Sequence, residues 1–391
     1  FADAGGGGSA LELYAENPVT PTAPSATGIN AVAIGSGATA TGNQSFAFGH
    51  GADATAYRAL AVGGDNICNV DYASAFGFGA NASGNSATSL GRGSSASGES
   101  SVALGYRANA TAQFAVGIGY DSDARSTGSL AAGFNAQTAT GSNATALTNS
   151  YASGNDSFAA AIANNTATYG ATGANSVAMG DRAKASGSRS FSLGRFGQAT
   201  NTRSINIGDS AISSADSSVA IGYTAEASEA YSVALGYKSS SVIQGKYAYA
   251  GGAFTSAGDS QSGVLVLRSD TTDATAEALT TNNNAASITN QVILPNSSAY
   301  SFSGTIVARQ KASDGTASAA WEIKGLIRRE ANAASTVLVN SALTVLDNTP
   351  AWGLALTADT TNGGLKIEAT GAAATNIRWV ATINTSEVTY A

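Results

Sequence analysis

The sequence predicts an all-β chain in which a parallel β-solenoid is followed by an antiparallel β-sandwich. Three observations support this fold class. A five-residue pattern of the type Ser101–Gly105 recurs in phase through residues 31–250, proline is absent between Pro24 and Pro295, and all three tryptophans lie after residue 250. A fixed short period is typical of solenoids. The lack of proline suits a continuous strand ladder, because proline removes a backbone donor.

The repeat is 14 residues long, and a glycine marks each unit. The marker glycines are Gly35, Gly49, Gly63, Gly77, Gly91, Gly105, Gly119 and Gly133, then, after a break, Gly180, Gly194, Gly208, Gly222 and Gly236. Leu147 and Ala161 are expected to hold the two places after Gly133, and Ala250 the last place. The sequence therefore predicts 16 units, in blocks of ten and six, with a bulge or loop around Asn164–Gly173.

Each unit is predicted to contain strand, turn, strand and turn. Large residues such as Val102 and Leu104 flank a small one, usually alanine, and this period-two alternation puts the two large side chains on one face. After the glycine come alternating small residues such as Ala108 and Ala110. Both faces of the first strand are apolar, so we expect both to be buried. Because a coil this thin encloses little volume, we expect several chains to pack side by side, with the alanines allowing close approach.

The repeat resembles the head repeat of YadA-like trimeric autotransporter adhesins. The resemblance is carried by Asn30–Ser45, Ser101–Ala112, Ser176–Ser190 and Ser218–Ala227. It implies a left-handed parallel β-roll that assembles as a homotrimer and serves as an adhesive or spacing shaft. The rest of the chain departs from that family, since neither a heptad stalk nor a C-terminal membrane anchor is recognisable.

The layout as a whole resembles a tail fibre of a marine or cyanobacterial phage, a class in which head repeats of this type also occur. The opening Gly5–Tyr14 and the β-rich end carry this second resemblance. It implies an extracellular virion protein whose N-terminal segment binds a tail or baseplate protein. The partner at the other end would be a host surface glycan or protein. The alternatives are a bacterial surface adhesin fragment, a glycan depolymerase and a purely structural virion decoration.

Three regions are expected along the chain. Residues 1–30 are predicted to be a connector, because the run Gly5–Gly8 is flexible and lacks the strand and helix that a phosphate-binding loop needs. Residues 31–250 form the repeat shaft. Residues 251–391 are predicted to form a β-sandwich tip, since runs such as 300–309, 321–328 and 377–384 alternate between apolar and polar residues.

Composition narrows the choice of partners. Charged residues make up 12% of the chain, about half of what an ordinary globular protein carries. The net charge is −7 and the pI is about 4.8, which argues against binding nucleic acid or an anionic membrane. No run of about 18 apolar residues occurs, so we expect no membrane-inserted helix.

The sequence offers little catalytic chemistry, and we predict no enzyme activity, cofactor or metal site. His50 and Cys68 each occur once; the first is expected at a turn surface and the second buried in a solenoid unit. The pairs Asp121/Asp123 and Asp270/Asp273 lack a complete calcium ligand set. The glutamates that could form a glycosidase pair in the last region are Glu322, Glu330 and Glu368, but sequence alone does not bring them together.

Aromatic side chains are the candidate receptor contacts. Tyr106, Tyr120, Tyr223 and Tyr237 directly follow marker glycines, and Phe134 occupies the same place. Such a row could stack on sugars, although covering seams between subunits is the favoured interpretation. The tryptophans Trp321, Trp352 and Trp379 are the candidates in the last region, although each lies in a run that is typical of core.

Overall fold

A computed structural model describes residues 22–162, 168–313 and 315–390. The described residues form two compact units, one ending at Arg189 and the other beginning at Ser190. Parallel solenoid turns, about 16 in all, are followed by antiparallel sheet, which confirms the predicted fold class. Most of the expected connector (1–21) and part of the expected loop (163–167) lie outside the described residues.

The first unit is built from alternating short and long strands. In chain order they are β1 (Ser25–Ala26), β2 (Val32–Ile34), β3 (Thr39–Ala40), β4 (Phe46–Phe48), β5 (Asp53–Ala54), β6 (Leu60–Val62), β7 (Ile67–Cys68), β8 (Ser74–Phe76), β9 (Asn81–Ala82), β10 (Thr88–Leu90), β11 (Ser95–Ala96), β12 (Val102–Leu104), β13 (Asn109–Ala110), β14 (Val116–Ile118), β15 (Asp123–Ala124), β16 (Leu130–Ala132), β17 (Gln137–Thr138), β18 (Thr145–Leu147), β19 (Tyr151–Ala152), β20 (Phe158–Ala160), β21 (Gly170–Ala171), β22 (Val177–Met179) and β23 (Lys184–Ala185). Odd-numbered strands here are the short ones. Each strand pairs in parallel with its equivalent in the next turn, as β12 does with β14.

Alanine fills the interior of the solenoid. Ala103 in β12 and Ala110 in β13 are both fully buried, whereas Val102 and Leu104 point outward. The serine that opens the repeat motif closes the preceding turn, since the Ser101 hydroxyl donates to the Gly98 carbonyl at 2.7 Å. The expectation that both faces of the long strand are buried is therefore wrong for the single chain. The alanines pack inside the coil, where they cannot provide close approach between chains.

The marker glycine is required by its backbone conformation and by its neighbour. Gly91 has φ of +135°, and a Cβ added there would lie 2.2 Å from the carbonyl oxygen of Gly105 in the next turn. Any side chain would therefore collide with backbone that cannot move without breaking the ladder. This explains why the same position is glycine in turn after turn.

The repeat changes phase in the later part of the first unit. Leu130 pairs with Thr145, 15 residues on, and Thr145 pairs with Phe158, 13 residues on. Thr148, rather than Leu147, therefore takes the marker place opposite Gly133, whereas Ala161 keeps its predicted place. Phe158 then pairs with Val177, so the longest turn includes the region where a loop was expected. Strand β21 nevertheless lies within that region.

The second unit begins with solenoid turns and ends with two antiparallel sheets. Its strands are β24 (Phe191–Leu193), β25 (Gln198–Ala199), β26 (Ile205–Ile207), β27 (Ile212–Ser213), β28 (Val219–Ile221), β29 (Glu226–Ala227), β30 (Val233–Gly236), β31 (Ser240–Ser241), β32 (Tyr247–Ala250), β33 (Ser260–Thr271), β34 (Ala276–Ala278), β35 (Val292–Ile293), β36 (Ser298–Gln310), β37 (Ser318–Arg329), β38 (Val337–Asp347), β39 (Gly353–Asp359), β40 (Gly364–Thr370) and β41 (Ile377–Thr389). A 3-10 turn spans Ala333–Ser335, and no helix among the described residues could cross a membrane.

The two antiparallel sheets enclose one apolar core. The large sheet has the order β33-β41-β36-β37-β38, and in the small sheet β40 pairs with β34, β35 and β39. Trp321 from the large sheet stacks on Trp379 with centroids 5.5 Å apart, and Leu365 and Ile367 from the small sheet belong to the same core. The predicted alternation holds along β36, β37 and β41, whose apolar residues point inward.

A buried ion pair joins the last solenoid turn to the sandwich within the second unit. Lys246 Nζ lies 2.7 Å from Glu387 Oε2, and both side chains are 1% exposed. Gln261 donates to the same carboxylate at 2.8 Å and Thr385 at 2.6 Å. Burial, together with the adjacent Glu387 carboxylate, raises the pKa of Tyr300 well above its usual value. These partners compensate two buried charges and fix how β32 meets β33 and β41.

Candidate functional site

Large apolar side chains line the outward face of the long solenoid strands, and we name this surface the outer apolar strip. Exposures in the first unit run from 36% to 42%. The strip residues at or above this exposure are Val32, Phe46, Leu90, Leu104, Ile118 and Met179 in the first unit, and Leu193, Ile205, Ile207, Tyr247 and Tyr249 in the second. Monomeric proteins rarely leave contiguous apolar patches of this extent in water.

The register of the ladder makes the strip continuous within each unit. Val102 lies beside Val116 and Leu104 beside Ile118 in adjacent parallel strands. Neighbouring strands are about 4.8 Å apart, so side chains at equivalent positions touch along the ladder. The outward face of the short strands is mostly polar, with residues such as Asn109. The solenoid therefore has one apolar face and one polar face, and the apolar face is the candidate for assembly.

The candidate tyrosines form ordered stacks in the glycine turns. In the first unit Tyr106 and Tyr120 have centroids 5.1 Å apart, and Tyr120 and Phe134 have centroids 5.3 Å apart, with planes within 19° of parallel. The Arg92 guanidinium lies 5.7 Å from the Tyr106 centroid. Each ring therefore has a neighbour along the stack.

The second unit repeats this arrangement on a smaller scale. Tyr223 and Tyr237 stack at 5.3 Å, and Lys238 Nζ lies 5.9 Å from the Tyr237 centroid. A sugar that stacks on an aromatic ring needs an open ring face, whereas these stacks present mainly edges and hydroxyl groups. The geometry favours a role in stiffening the turns, and receptor binding by Tyr106, Tyr120, Tyr223 and Tyr237 stays a prediction.

The three candidate tryptophans belong to the core of the sandwich. Trp321, Trp352 and Trp379 are 1%, 5% and 0% exposed, and Trp352 also packs on Trp379 at 5.8 Å. Their rings present almost no surface to a receptor. The sequence had marked these residues by type alone, and their burial follows from the inward phase of the strands that carry Trp321 and Trp379.

The single histidine and single cysteine are far apart in character. His50 is exposed, and its Nδ1 lies 3.4 Å from Asp65. Cys68 is fully buried, as the sequence predicts, and its Sγ donates to the Leu60 carbonyl at 3.1 Å. Burial raises the pKa of the Cys68 thiol to about 12, so the thiolate that nucleophilic chemistry needs is scarce at neutral pH.

Most of the candidate carboxylates already have partners. Asp121 pairs with Arg107 at 3.1 Å, Asp123 with Arg125, and Asp270 with Arg378 at 3.5 Å. Glu330 pairs with Arg328 in one region of the large sheet, while Glu368 pairs with Lys366 on the small sheet. Across the described residues, no group of three or more His, Cys, Asp and Glu side chains could hold a metal ion.

Sequence reasoning missed two features of the second unit. Lys246 and Glu387 are 141 residues apart, so no local pattern connects them. A cavity of about 440 Å³ lies between the loop after β32 and the end of β41, lined in part by Phe254 and Tyr390. A phenylalanine in a glycine- and serine-rich loop is the only sequence feature that could have pointed to it.

The family comparison bears directly on the solenoid geometry. The YadA head domain repeat, as a two-copy model, matches residues 26–52, 40–66, 71–94, 96–122, 171–196, 199–225 and 213–239. The chain contains YadA head domain repeats. The YadA head repeats therefore account for the marker glycine, the serine closure and the outer apolar strip as properties of one repeated unit. No curated protein matches the chain.

Solved structures similar to this chain include phage tailspikes. Tailspike gp49 of Acinetobacter baumannii bacteriophage Fri1, a capsular polysaccharide depolymerase, is 8% identical, with 91% of this chain and 64% of that chain covered and a TM-score of 0.24. The tailspike of Acinetobacter phage vB_ApiP_P1 is 13% identical, with coverages of 93% and 70% and a TM-score of 0.20. Scores this low carry no argument about the activity of the YadA-repeat chain.

Proposed function

We propose that this chain is a homotrimeric viral tail fibre that attaches a virion to its host cell surface. In this proposal the YadA-repeat solenoid is a spacer and the sandwich is the receptor-binding tip. The N-terminal segment would bind a tail or baseplate protein, and a host surface glycan or protein would be the receptor. A fragment of a bacterial trimeric surface adhesin is the alternative that shares the same repeats.

The outer apolar strip is the observation that carries the proposal. A solenoid with alanine inside and Val, Leu, Ile and Phe outside has its larger apolar side chains on the wrong side for a lone chain in water. Burying the exposed half of one such side chain contributes about 1 kcal/mol, and the strip repeats over many turns. Three copies that turn their strips inward would cover this surface and leave the polar short strands in water.

Trimeric assembly would also serve adhesion. Three tips held on one fibre bind a multivalent surface with an effective concentration that can raise avidity by about 10²–10⁴ over one tip. Adhesion of this kind needs neither a catalytic group nor a cofactor. The carboxylates of the sandwich that have ion-pair partners suit a binding role better than a hydrolytic one.

A pair of charge substitutions in one solenoid turn tests the proposal. Leu104→Asp puts a charge on the strip, whereas Asn109→Asp puts the same charge on the polar face of the same turn. We expect labelled Asn109→Asp fibre to bind cells from a panel of bacterial strains like the parent, and Leu104→Asp to lose trimeric mass and at least about 10²-fold in apparent affinity.

The same assay contains the outcomes that contradict the proposal. Equal binding and equal mass for both variants would show that the strip is not an assembly surface. Shortening of capsular polysaccharide by the parent protein would contradict the purely adhesive role and favour a depolymerase. Binding of the fibre to no strain in the panel would favour a structural decoration.

A further inference from the structure

We propose that the cavity beside Phe254 and Tyr390 binds an uncharged saccharide. This inference rests on the proposed function and deepens it, because it assigns the receptor class and a location on the second unit. The cavity has a volume of about 440 Å³, within the usual range for small-ligand sites. Its lining residues are Phe254, Thr255, Ser256, Asp259, Val388, Thr389 and Tyr390.

Two aromatic side chains at the cavity are far more exposed than is usual. Phe254 is 79% exposed and Tyr390 is 92% exposed. Neither ring belongs to a stack among the described residues, unlike the tyrosines of the solenoid turns. Their faces are therefore open to the C–H groups of a pyranose ring, which is the contact that the solenoid stacks cannot offer.

The loop that carries Phe254 is held in place rather than loose. The Asp259 carboxylate accepts hydrogen bonds from the backbone N–H groups of Phe254, Thr255 and Ser256 at 2.9, 2.6 and 2.7 Å. Lys238 Nζ donates to the Thr255 carbonyl at 2.7 Å. A preformed loop of this kind loses little conformational entropy when it binds a ligand.

The far wall is tied to the same loop. Thr389 N–H donates to the Asp259 carbonyl at 3.0 Å, which joins β41 to the loop. Tyr390 N–H donates to the Ser297 carbonyl at 2.8 Å. The backbone positions of both aromatic residues are therefore fixed by hydrogen bonds.

The polar groups at the cavity suit a neutral polyol better than an ion. The hydroxyls of Thr255 and Ser256 are exposed, and neither has a hydrogen-bond partner within the described chain. The lining includes no Lys, Arg or His side chain to bind an anion. Asp259 is the one lining carboxylate, and three N–H donors already occupy its oxygens, so it offers little to a cation. Aromatic faces with free hydroxyls at the rim are the chemistry that sugars recognise.

Saturation-transfer NMR on the full-length protein tests this assignment. The probes are neutral trisaccharides of glucose, galactose, mannose and N-acetylglucosamine, with choline as a cationic probe for the same aromatic groups. We expect at least one trisaccharide to receive saturation, and Phe254→Ala to weaken its apparent Kd at least about tenfold. Phe114→Ala, which removes an exposed phenylalanine from a solenoid turn, should leave the Kd unchanged.

Each other outcome overturns the inference. Transfer to no trisaccharide, or equal transfer in Phe254→Ala, would rule out a saccharide site at this cavity. Transfer to choline alone would assign it to a quaternary ammonium group instead. The inference fails separately from the proposed function: a Phe254→Ala fibre that stays trimeric and binds cells like the parent contradicts the saccharide site while leaving trimeric adhesion in place.

Discussion

The solenoid and the sandwich place their large apolar side chains on opposite sides. In the solenoid Ala103 is fully buried and its neighbour Leu104 is 37% exposed, whereas in the sandwich Trp321 is 1% exposed. A turn of 14 residues encloses too little space for anything larger than small side chains, but two facing sheets enclose room for indole rings. The sandwich therefore carries its own core, and we infer that the solenoid depends on a partner surface.

The chain carries a natural reporter for each region. All three tryptophans lie in the sandwich, so their fluorescence follows that region alone. The one cysteine, Cys68, is buried in the solenoid, so its reaction with iodoacetamide follows opening of that region. Four predictions use these reporters to separate the two regions.

The largest effect is expected from Trp321→Ala. Removing a buried indole that stacks on Trp379 leaves a cavity and should lower the stability of the sandwich by about 3–5 kcal/mol. Urea unfolding followed by the fluorescence of the two remaining tryptophans measures the loss. Val307→Ala on the exposed face of the same sheet is the control and should cost less than about 0.5 kcal/mol. Similar losses for both would contradict a sandwich with its own core.

Nearly as large an effect is expected from Lys246→Met. The substitution leaves the Glu387 carboxylate buried without its cation and should cost about 3–5 kcal/mol. In the double variant Lys246→Met/Glu387→Gln neither charge remains, so we expect it to regain a large part of that loss. Urea midpoints of the two variants measure the difference. Equal or greater loss in the double variant would show that the pair is not coupled.

A smaller effect, confined to the solenoid, is expected from Gly105→Ala. Its Cβ would lie 2.4 Å from the Gly119 carbonyl oxygen at φ of +133°, so we expect a loss of about 3 kcal/mol. Gly93→Ala is the matched control, because its φ is +64° and its nearest neighbour, Arg107 Cγ, is 3.8 Å away. That control should cost about 1 kcal/mol. Circular dichroism should show a solenoid transition that tryptophan fluorescence does not follow; equal effects at the two glycines would refute the close-approach argument.

The smallest effect is a pH dependence that originates at Cys68. Burial raises the pKa of the thiol from 9.0 to about 12 in the folded chain. Because the folded value is the higher one, this stabilising contribution is complete below pH 9 and is lost as the pH rises from 9 towards 12. Urea midpoints at pH 8 and pH 10.5 should fall further for the parent than for Cys68→Ala. Identical falls would mean that the thiol ionises equally easily in both states.

Much of the fold can be predicted from local pattern. The marker glycines and the alternation in β12 give the solenoid, because both express one repeated backbone geometry. The alternation in β36 and β41 gives the inward faces of the sandwich for the same reason. The phase change at Thr148 is missed, since compensating changes in turn length leave Leu147 and Ala161 at the expected spacing.

The candidate sites are predicted less well, because they depend on contacts between distant residues. Both faces of β12 are apolar, so the sequence does not say whether Ala103 or Leu104 points inward; the enclosed volume decides that. The stacking of Tyr106 on Tyr120 depends on ring orientation, which residue type does not specify. The cavity at Phe254 and Tyr390 joins residues separated by most of the sandwich sequence.

The mass of the full-length protein in solution tests the central claim most directly. Light scattering during size-exclusion chromatography, repeated over a hundredfold dilution, would measure it. If copies of the chain cover the outer apolar strip, the mass should be three times the 38.5 kDa of one chain and should persist on dilution. A folded species of 38.5 kDa, with Cys68 protected from iodoacetamide, would show that the solenoid is stable without a partner and would contradict the account.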